Sequence, residues 1–270
     1  MNIDPIFVLE MLALGCFGGF LAGLLGIGGG MLLVPALTMI GSSRGFNADY
    51  VIKMAVATSL ATILFTSLSS VRAHHQRGAI RWDVVKLLAP GIIAGSLIGA
   101  QIAKLLPTRV LAALFALFIS YSAVQMFLHK KPKPSRQLPD GARMFGAGAG
   151  IGTLSALLGA GGGFISVPFM SWCNVPIHTA LATSAALGFP IAMAGTIGYV
   201  YAGWNVPNSP AGSFGFLYLP ALAVIAVASV ALAPVGAAAA HRMDVGQLKR
   251  VFALLLFGLA GYMAWKAFGG

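Results

Sequence analysis

Long apolar stretches alternate with short polar segments along the whole chain. Most of the apolar stretches have about the 20 residues that a helix needs to cross the roughly 30 Å hydrocarbon core of a bilayer. Spanning helices are accordingly predicted at about 50–71, 84–104, 110–128, 179–201, 216–240 and 248–267. Two further stretches, 7–41 and 143–173, are longer and are interrupted by glycines. The pattern therefore predicts an all-α polytopic membrane protein.

The same glycine-rich sequence interrupts both of the longer stretches. Residues 19–35 read GFLAGLLGIGGGMLLVP and residues 152–168 read GTLSALLGAGGGFISVP, with ten identities at a constant offset of 133. Each glycine costs about 1 kcal/mol relative to alanine inside a helix, and an unbroken helix of about 35 residues would be about 52 Å long. We therefore expect the chain to turn back at the glycines and form a broken helical hairpin. Such a break is stable in a bilayer only where it is buried in protein or lines a polar cavity.

The repeated motif divides the chain into two homologous halves, 1–128 and 143–270. Each half is predicted to hold one broken hairpin and three transmembrane helices. The segment HKKPKPSRQLPD lies between them, and its prolines and basic residues indicate an extended cytoplasmic linker at 129–142. Within the first half, Gly91, Gly95 and Gly99 form a face of small residues four apart, which favours close contact with another helix.

The positions of the basic residues indicate that the halves are inverted repeats. If each broken hairpin returns to its starting side, twelve basic residues lie inside and five outside, the latter being Arg44, Lys53, Lys104, Arg109 and Lys266. If each broken hairpin crosses instead, the split is ten to seven, and the positive-inside rule favours the larger difference. The basic loop at 72–86 and the uncharged loop at 202–213 occupy equivalent positions in the two halves, which fits opposite sides of the membrane.

Composition agrees with a membrane protein and excludes several other classes. Of 270 residues, 58% are hydrophobic and 9% are charged, against about 25% charged residues in a soluble domain. The formal net charge is +11, but the basic residues cluster between apolar stretches, so nucleic acid is not a predicted partner. No cofactor or metal motif is present. Cys16 and Cys173 lack a histidine or carboxylate partner on the same span, and the glycine runs lack the lysine of a phosphate-binding loop.

The doubled motif G-x-x-G-x-G-G-G-x-x-x-V-P, which begins at Gly23 and is matched from Gly159 to Pro168, resembles the sulfite exporter (TauE/SafE) family of membrane transporters. The Ala-Thr-Ser sequences at 57–59 and 182–184 fit that family as well. The resemblance covers nearly the whole chain. It implies a secondary transporter or facilitator that moves a small sulfur-containing anion, such as sulfite or a sulfonate, across the bacterial inner membrane.

The candidate substrate site combines both glycine breaks with hydroxyl groups from the helix that follows each break. A half-helix that begins inside the membrane points free N–H groups and a positive dipole end toward a bound anion. We therefore predict substrate binding by Gly28, Gly29, Gly30, Thr58, Ser59, Gly161, Gly162, Gly163, Thr183 and Ser184. Arg72, at the end of the second span, is the candidate for an inner gate.

Alternatives to this interpretation stay open at the level of sequence. A membrane-embedded enzyme would need a nucleophile, base or metal cluster near the middle of the bilayer, and an anion channel would need a continuous polar lining. Glycines in membrane helices also serve close packing, and serine and threonine often bond to their own helix. The lipid bilayer is a predicted partner. The sequence leaves the oligomeric state open, with a homodimer as one alternative.

Overall fold

The computed structural model describes residues 4–25, 29–128, 137–207, 209–239 and 245–269. This part of the chain is almost entirely helical, as predicted. In chain order the elements are α1 (Pro5–Leu25), α2 (Gly30–Ser43), α3 (Val51–Gln76), α4 (Trp82–Leu105), α5 (Thr108–Phe127), α6 (Gly141–Leu157), α7 (Gly163–Trp172), α8 (Ile177–Ala202), β1 (Ser213–Phe214), β2 (Leu217–Tyr218), α9 (Leu219–Ala239) and α10 (Val245–Phe268). Seven of the described helices are long and apolar enough to cross a bilayer, which confirms a multi-pass membrane protein.

The two helices that follow the glycine breaks are too short to span. Helix α2 has 14 residues and α7 has 10, so their lengths are about 21 Å and 15 Å against a hydrocarbon core of about 30 Å. Both carry an internal proline, Pro35 in α2 and Pro168 in α7. Each is therefore a half-helix that begins inside the protein at a glycine break.

The first broken unit is a hairpin that returns to its starting end. Arg44, which follows α2, donates hydrogen bonds from Nη2 and Nε to Glu10 Oε2 at 2.9 and 3.3 Å. The same guanidinium lies 3.6 Å from Asp4 Oδ2 and 4.9 Å from the centre of the Phe7 ring. The end of α2 therefore lies beside the start of α1, and the hairpin predicted from the glycine break and the chain length is confirmed for this unit.

Helix α4 packs along α6 through glycines on both helices. A Cβ added to Gly91 would collide with the carbonyl oxygen of Phe145, and one added to Gly95 would collide with that of Ala149. Farther along, Gly99 faces Thr153. Contact residues advance together on the two helices, so α4 and α6 are parallel. The face of Gly91, Gly95 and Gly99 brings the two backbones into direct contact, as its spacing predicts.

Helices α1 and α9 repeat this arrangement. Gly15 packs against the backbone of Ile225, Gly19 against Ser229, and Gly236 against Phe20. Ser229 Oγ also donates a hydrogen bond to the carbonyl oxygen of Gly15 at 3.0 Å. Contact residues again advance together, so these helices are parallel too. The first helix of each predicted half therefore packs against the fourth helix of the other half.

Helices α3 and α8 form the centre of the described fold and run in opposite directions. Leu60 on α3 lies against Gly195 on α8, and farther along α3, Ser67 lies against Gly188. Most of α3 is buried, including Thr58, Ser59 and Thr62, which are 0–1% exposed. Polar groups this deep need hydrogen-bond partners, and the partner of Ser59 lies at a glycine break.

A two-stranded hairpin before α9 was not predicted. Strand β1 pairs antiparallel with β2, with Ser213 opposite Tyr218. Gly215, at the turn, has a φ of +60°, a conformation that glycine adopts without strain, and its missing side chain also lets it pack on the backbone of Val200. Helix α9 therefore begins at Leu219, not at about 216 as the apolar stretch indicates, and the uncharged loop ends in a folded segment.

Candidate functional site

The two glycine breaks meet inside the protein. A Cβ added to Gly30, the first residue of α2, would collide with the carbonyl oxygen of Gly159 and lie 3.0 Å from the Cα of Ala160. Ser59 Oγ on α3 donates a hydrogen bond to the same carbonyl oxygen at 3.0 Å. Ser59 is therefore one of the predicted site residues that the structure brings to a glycine break.

The second break is enclosed between α3 and α8. Gly161, Gly162 and Gly163 are buried. Gly161 faces Ile63 of α3, and its carbonyl oxygen lies 3.4 Å from the Cβ position of Gly188 on α8. Gly162, the residue before α7, has a φ of +77°. Because the break is enclosed by protein, it satisfies the condition for irregular backbone inside a bilayer.

The first break has a different conformation. Gly29, the residue before α2, has a φ of −67° in the right-handed helical region and is half-buried. Its Cβ position lies 3.1 Å from the carbonyl oxygen of Gly18 on α1. The predicted site residue Gly28 lies outside the described residues. The two breaks are therefore equivalent in sequence but not in backbone geometry.

Backbone N–H groups at both breaks lack acceptors within the described residues. At the start of α7, the N–H groups of Ile165 and Ser166 donate to the carbonyl oxygen of Gly162. The four preceding N–H groups, those of 161–164, have no acceptor in the described part of the chain. At the start of α2 the same is true of Gly30 and Met31. Each half-helix therefore begins with open donors inside the protein, where the positive end of its dipole also lies.

Ser184, another predicted site residue, reaches the start of α7 through Ser166. The two hydroxyl oxygens are 2.7 Å apart, and Ser166 Oγ also donates to the carbonyl oxygen of Gly162 at 2.9 Å. Both serines are 0–1% exposed. This chain of hydrogen bonds ties α8 to the second break and fixes the first turn of α7.

The predicted site residues Thr58 and Thr183 bind backbone away from the glycine breaks. Thr58 Oγ1 accepts a hydrogen bond from the N–H of Tyr218 at 3.2 Å, and Thr183 Oγ1 accepts one from the N–H of Arg81 at 3.1 Å. The predicted gate, Arg72, is exposed near the end of α3. Arg72 forms no hydrogen bond or ion pair within the described residues. A role in transport for these three side chains stays a prediction.

Ser155 on α6 is a candidate that the sequence prediction missed. It is 0% exposed, and its hydroxyl has no hydrogen-bond partner among the described residues. Leaving a buried polar group unpaired costs about 1–3 kcal/mol. The hydroxyl oxygen lies 3.5 Å from the Cβ position of Gly162. The repeat gave no signal for this residue, because the position that matches Ser155 at the offset of 133 is Ala22.

The electrostatic environment of the breaks is made of neutral groups. Neither 20–35 nor 150–170 contains a charged residue. The buried Lys53 is 8% exposed, and its ammonium donates to the carbonyl oxygen of Lys104 at 2.9 Å. Among the described residues, no group of three or more histidine, cysteine or acidic side chains could hold a metal ion. Any ligand at the breaks would therefore be held by neutral dipoles.

Half-helices that begin at buried breaks occur in many secondary transporters, where they form the substrate site. A family model described as sulfite exporter TauE/SafE matches residues 11–263. The chain belongs to this family, and it is a multi-pass membrane transporter and not an enzyme. The seven candidate membrane spans of the described residues are consistent with a bacterial inner-membrane protein.

The curated relatives carry names of the same class. A "Probable membrane transporter protein" of Haemophilus influenzae is 34% identical over 96% of this chain and 99% of its own length. "Probable membrane transporter protein YunE" of Bacillus subtilis is 28% identical over 72% of this chain and 78% of its own. "Probable membrane transporter protein MamO" of Paramagnetospirillum magneticum is 27% identical over 96% of this chain but 44% of its own length. No solved structure gave a significant match.

Proposed function

We propose that this transporter moves a small sulfur oxyanion, such as sulfite or a sulfonate, across the bacterial inner membrane as a secondary transporter or facilitator. The observation that carries the proposal is the set of open N–H groups from 161 to 164 at the start of α7, three of which belong to the buried glycines 161–163. Converging N–H groups at a helix N-terminus favour an anion over a cation. The family supplies the sulfur chemistry, since its model is named for sulfite export.

Neutral donors suit a carrier because the ligand must also leave. A buried arginine or lysine would hold an oxyanion by a charge-assisted bond about twice as strong as a neutral one. No such residue occurs in 20–35 or 150–170. Gly30, the first residue of α2, meets Gly159 in the second break, which supports a single site formed where the two broken units come together.

We further propose that the halves, 1–128 and 143–270, are inverted repeats joined by a cytoplasmic linker at 129–142. Helices α3 and α8 hold equivalent positions in the two halves, and their antiparallel contact supports inversion. The exchanged pairs α1–α9 and α4–α6 support a two-fold relation between the halves. In addition, Lys53 bonds to Lys104, and Lys266 bonds to Ser42, two residues before Arg44. These contacts bring together basic residues that belong to the five predicted to lie outside, which therefore share one end of the molecule.

The hydrogen bonds of the central helix favour a carrier over a channel. A channel needs hydroxyls that face a continuous water-filled path. Thr62, Thr66 and Ser67 on α3 instead donate to carbonyl oxygens of their own helix, at 2.9, 3.2 and 3.0 Å. Because each hydroxyl has one proton, these three have none left to donate to an anion passing along the helix.

Uptake into liposomes tests the proposal. Purified protein would be reconstituted, and uptake of labelled sulfite, taurine and thiosulfate would be compared with that of acetate and lactate. We expect saturable uptake of at least one sulfur oxyanion. Gly162→Leu should abolish it, while Gly150→Leu, at an α6 position with open space around it, should not. Uptake of carboxylates alone, or equal uptake by Gly162→Leu, would refute the proposal.

A further inference from the structure

We propose that the Ser155 hydroxyl is a substrate ligand, so that the anion is bound in the second half of the protein and not equally between the two breaks. This inference rests on the proposed function and names its binding residue. It is carried by an observation independent of the helix end, namely a fully buried hydroxyl without a partner. Neither the repeated motif nor the family's name singles out this serine.

Four hydroxyls among the described residues are buried without a partner, those of Ser155, Ser171, Thr196 and Ser213, and Ser155 is the most deeply buried of these residues. Other fully buried serines have partners: Ser96 Oγ donates to the carbonyl oxygen of Gly152 at 3.3 Å, and Ser229 Oγ donates to that of Gly15 at 3.0 Å. Ser155 is 0% exposed and has no partner within the described residues. A buried polar group without a protein partner calls for an explanation, and a bound ligand that accepts its hydrogen bond supplies one.

The position of the hydroxyl completes a set of donors. Its oxygen lies 3.5 Å from where a Cβ on Gly162 would be, at the residue immediately before α7. The open N–H groups of 161–164 belong to this residue and its neighbours in sequence. A hydroxyl offers its proton to an oxyanion, as the N–H groups do, so the combined set fits a ligand with several acceptor oxygens.

Apolar side chains border the same place. Ile151 Cγ2 lies 3.9 Å from the Cβ position of Gly162, and Ile191 Cδ1 would collide with an added Cβ. The Gly162 position is therefore bordered by a hydroxyl and two isoleucines, and the end of the flexible Ile191 side chain has to move aside for a ligand to reach the hydroxyl. A compact oxyanion head with an apolar or absent tail matches this environment, which is the chemistry of sulfite and of short sulfonates.

The first half lacks this donor set. Ala22 stands where Ser155 stands in the repeat, and Leu33 stands where Ser166 stands. The glycines that precede the two half-helices also differ, with a φ of −67° at Gly29 and +77° at Gly162. An anion shared equally would need equal donors in both breaks. The polar groups instead concentrate at the second.

Ser155→Ala tests the inference, with Ser96→Ala as the matched control. Binding of sodium sulfite and of methanesulfonate to purified protein would be measured by calorimetry, and thermal unfolding would be followed without anion. We expect Ser155→Ala to bind the anion at least tenfold more weakly while its unfolding temperature stays the same or rises, because the substitution removes an unpaired buried hydroxyl. Ser96→Ala, which loses a made hydrogen bond, should unfold at a lower temperature with unchanged affinity.

Two outcomes would overturn the inference in distinguishable ways. If the unsubstituted protein binds and Ser155→Ala binds equally well, Ser155 is not a ligand, although the proposed function stands. If the unsubstituted protein binds neither anion, the sulfur-oxyanion function fails and the inference fails with it. Should Ser155→Ala not fold, Ser155→Cys supplies a side chain of similar size with a weaker donor, and undiminished affinity in that variant would likewise overturn the inference.

Discussion

Thr183 on α8 accepts a hydrogen bond from the backbone N–H of Arg81, 3.1 Å away and immediately before α4. The equivalent residue of the first half, Thr58, accepts one from Tyr218, immediately before α9. Each threonine therefore anchors the start of the fourth helix of the opposite half. The two hydrogen bonds join the halves at opposite ends of the antiparallel pair α3 and α8, and a movement that opened one end would have to break one of them.

Removal of the Thr183 acceptor should weaken the fold without affecting anion binding. Thr183→Val keeps the shape of the side chain but leaves the Arg81 N–H unpaired, at a cost of about 1–3 kcal/mol. We expect the unfolding temperature to fall by several degrees, at about 2–4 °C per kcal/mol for a chain of this size. Thermal unfolding in detergent measures this.

Thr62→Val is the control for that substitution. The Thr62 hydroxyl donates to the carbonyl oxygen of Thr58 in its own helix, so its loss leaves no N–H unpaired and should change the unfolding temperature by about a degree or less. If Thr62→Val lowered the unfolding temperature as much as Thr183→Val does, the hydrogen bond between the halves would contribute no more stability than a bond within one helix. A large loss of anion affinity in Thr183→Val would instead place this threonine at the substrate.

A single methyl group at the meeting point of the breaks should abolish transport. Gly30→Ala drives a Cβ into the Gly159 carbonyl, which already accepts a hydrogen bond from Ser59. Since backbone on both sides has to move, we expect a loss of uptake by more than tenfold in liposomes. Gly146→Ala on α6 is the control, because open space surrounds that position and alanine favours a helix by about 1 kcal/mol. Full activity of Gly30→Ala would show that the contact between the breaks is dispensable.

The charge of the substrate should set the pH dependence of sulfite transport. The desolvation cost of an ion rises steeply with its charge, and the donors at the breaks are neutral, so hydrogen sulfite should be carried in preference to the doubly charged form. At constant total sulfite, we expect the initial rate to rise several-fold from about pH 8 to pH 6, as protonation favours the singly charged form. Liposomes containing Gly162→Leu give the protein-independent leak.

Methanesulfonate separates this substrate effect from an effect on the protein. It remains singly charged across the same range, so its rate should change less than twofold. A parallel rise for both anions would assign the pH dependence to a group on the protein. A fall in the sulfite rate with decreasing pH would mean that the dianion is the transported form.

Labelling of engineered cysteines tests the inverted arrangement. In a Cys16→Ala, Cys173→Ala background, Ser135→Cys in the linker and Ala211→Cys in the uncharged loop would be treated with an impermeant thiol reagent. Inverted halves place these positions on opposite sides of the membrane, so intact cells should label Ala211→Cys only, and lysed cells both. Equal labelling of both variants in intact cells would contradict inversion.

Local features of the fold could be predicted from the sequence because they depend on neighbouring residues. The glycine breaks follow from helix propensity, and the return of α2 toward Glu10 follows from chain length and the break. Contacts between distant residues leave no such signal. That Ser59 bonds to Gly159, and that α1 packs on α9, depends on how two halves fit together. For the same reason the hydroxyls of Thr58 and Thr183 looked available for substrate, although the structure gives each a backbone partner from the opposite half.

Ser155 escaped prediction for a different reason. A serine in a membrane helix usually bonds to a carbonyl of its own helix, so its presence alone indicates nothing. Only the structure distinguishes it from Ser96, which has found a partner, and from Ser166, which supports the turn at Gly162. Ser155 is distinguished by a hydroxyl that lacks a hydrogen-bond partner, and this depends on which groups surround it in three dimensions.

The exchanged packing of α1 on α9 has a consequence for biosynthesis. Gly15 and its hydrogen-bond partner Ser229 are 214 residues apart, and ribosomes add about 5–20 residues per second. Helix α1 is therefore in the bilayer for about 10–40 s before α9, which packs on its glycines in the mature protein, has been synthesised. The first half cannot complete its packing until α9 has been synthesised, so insertion of the last helices is the event that completes the mature protein.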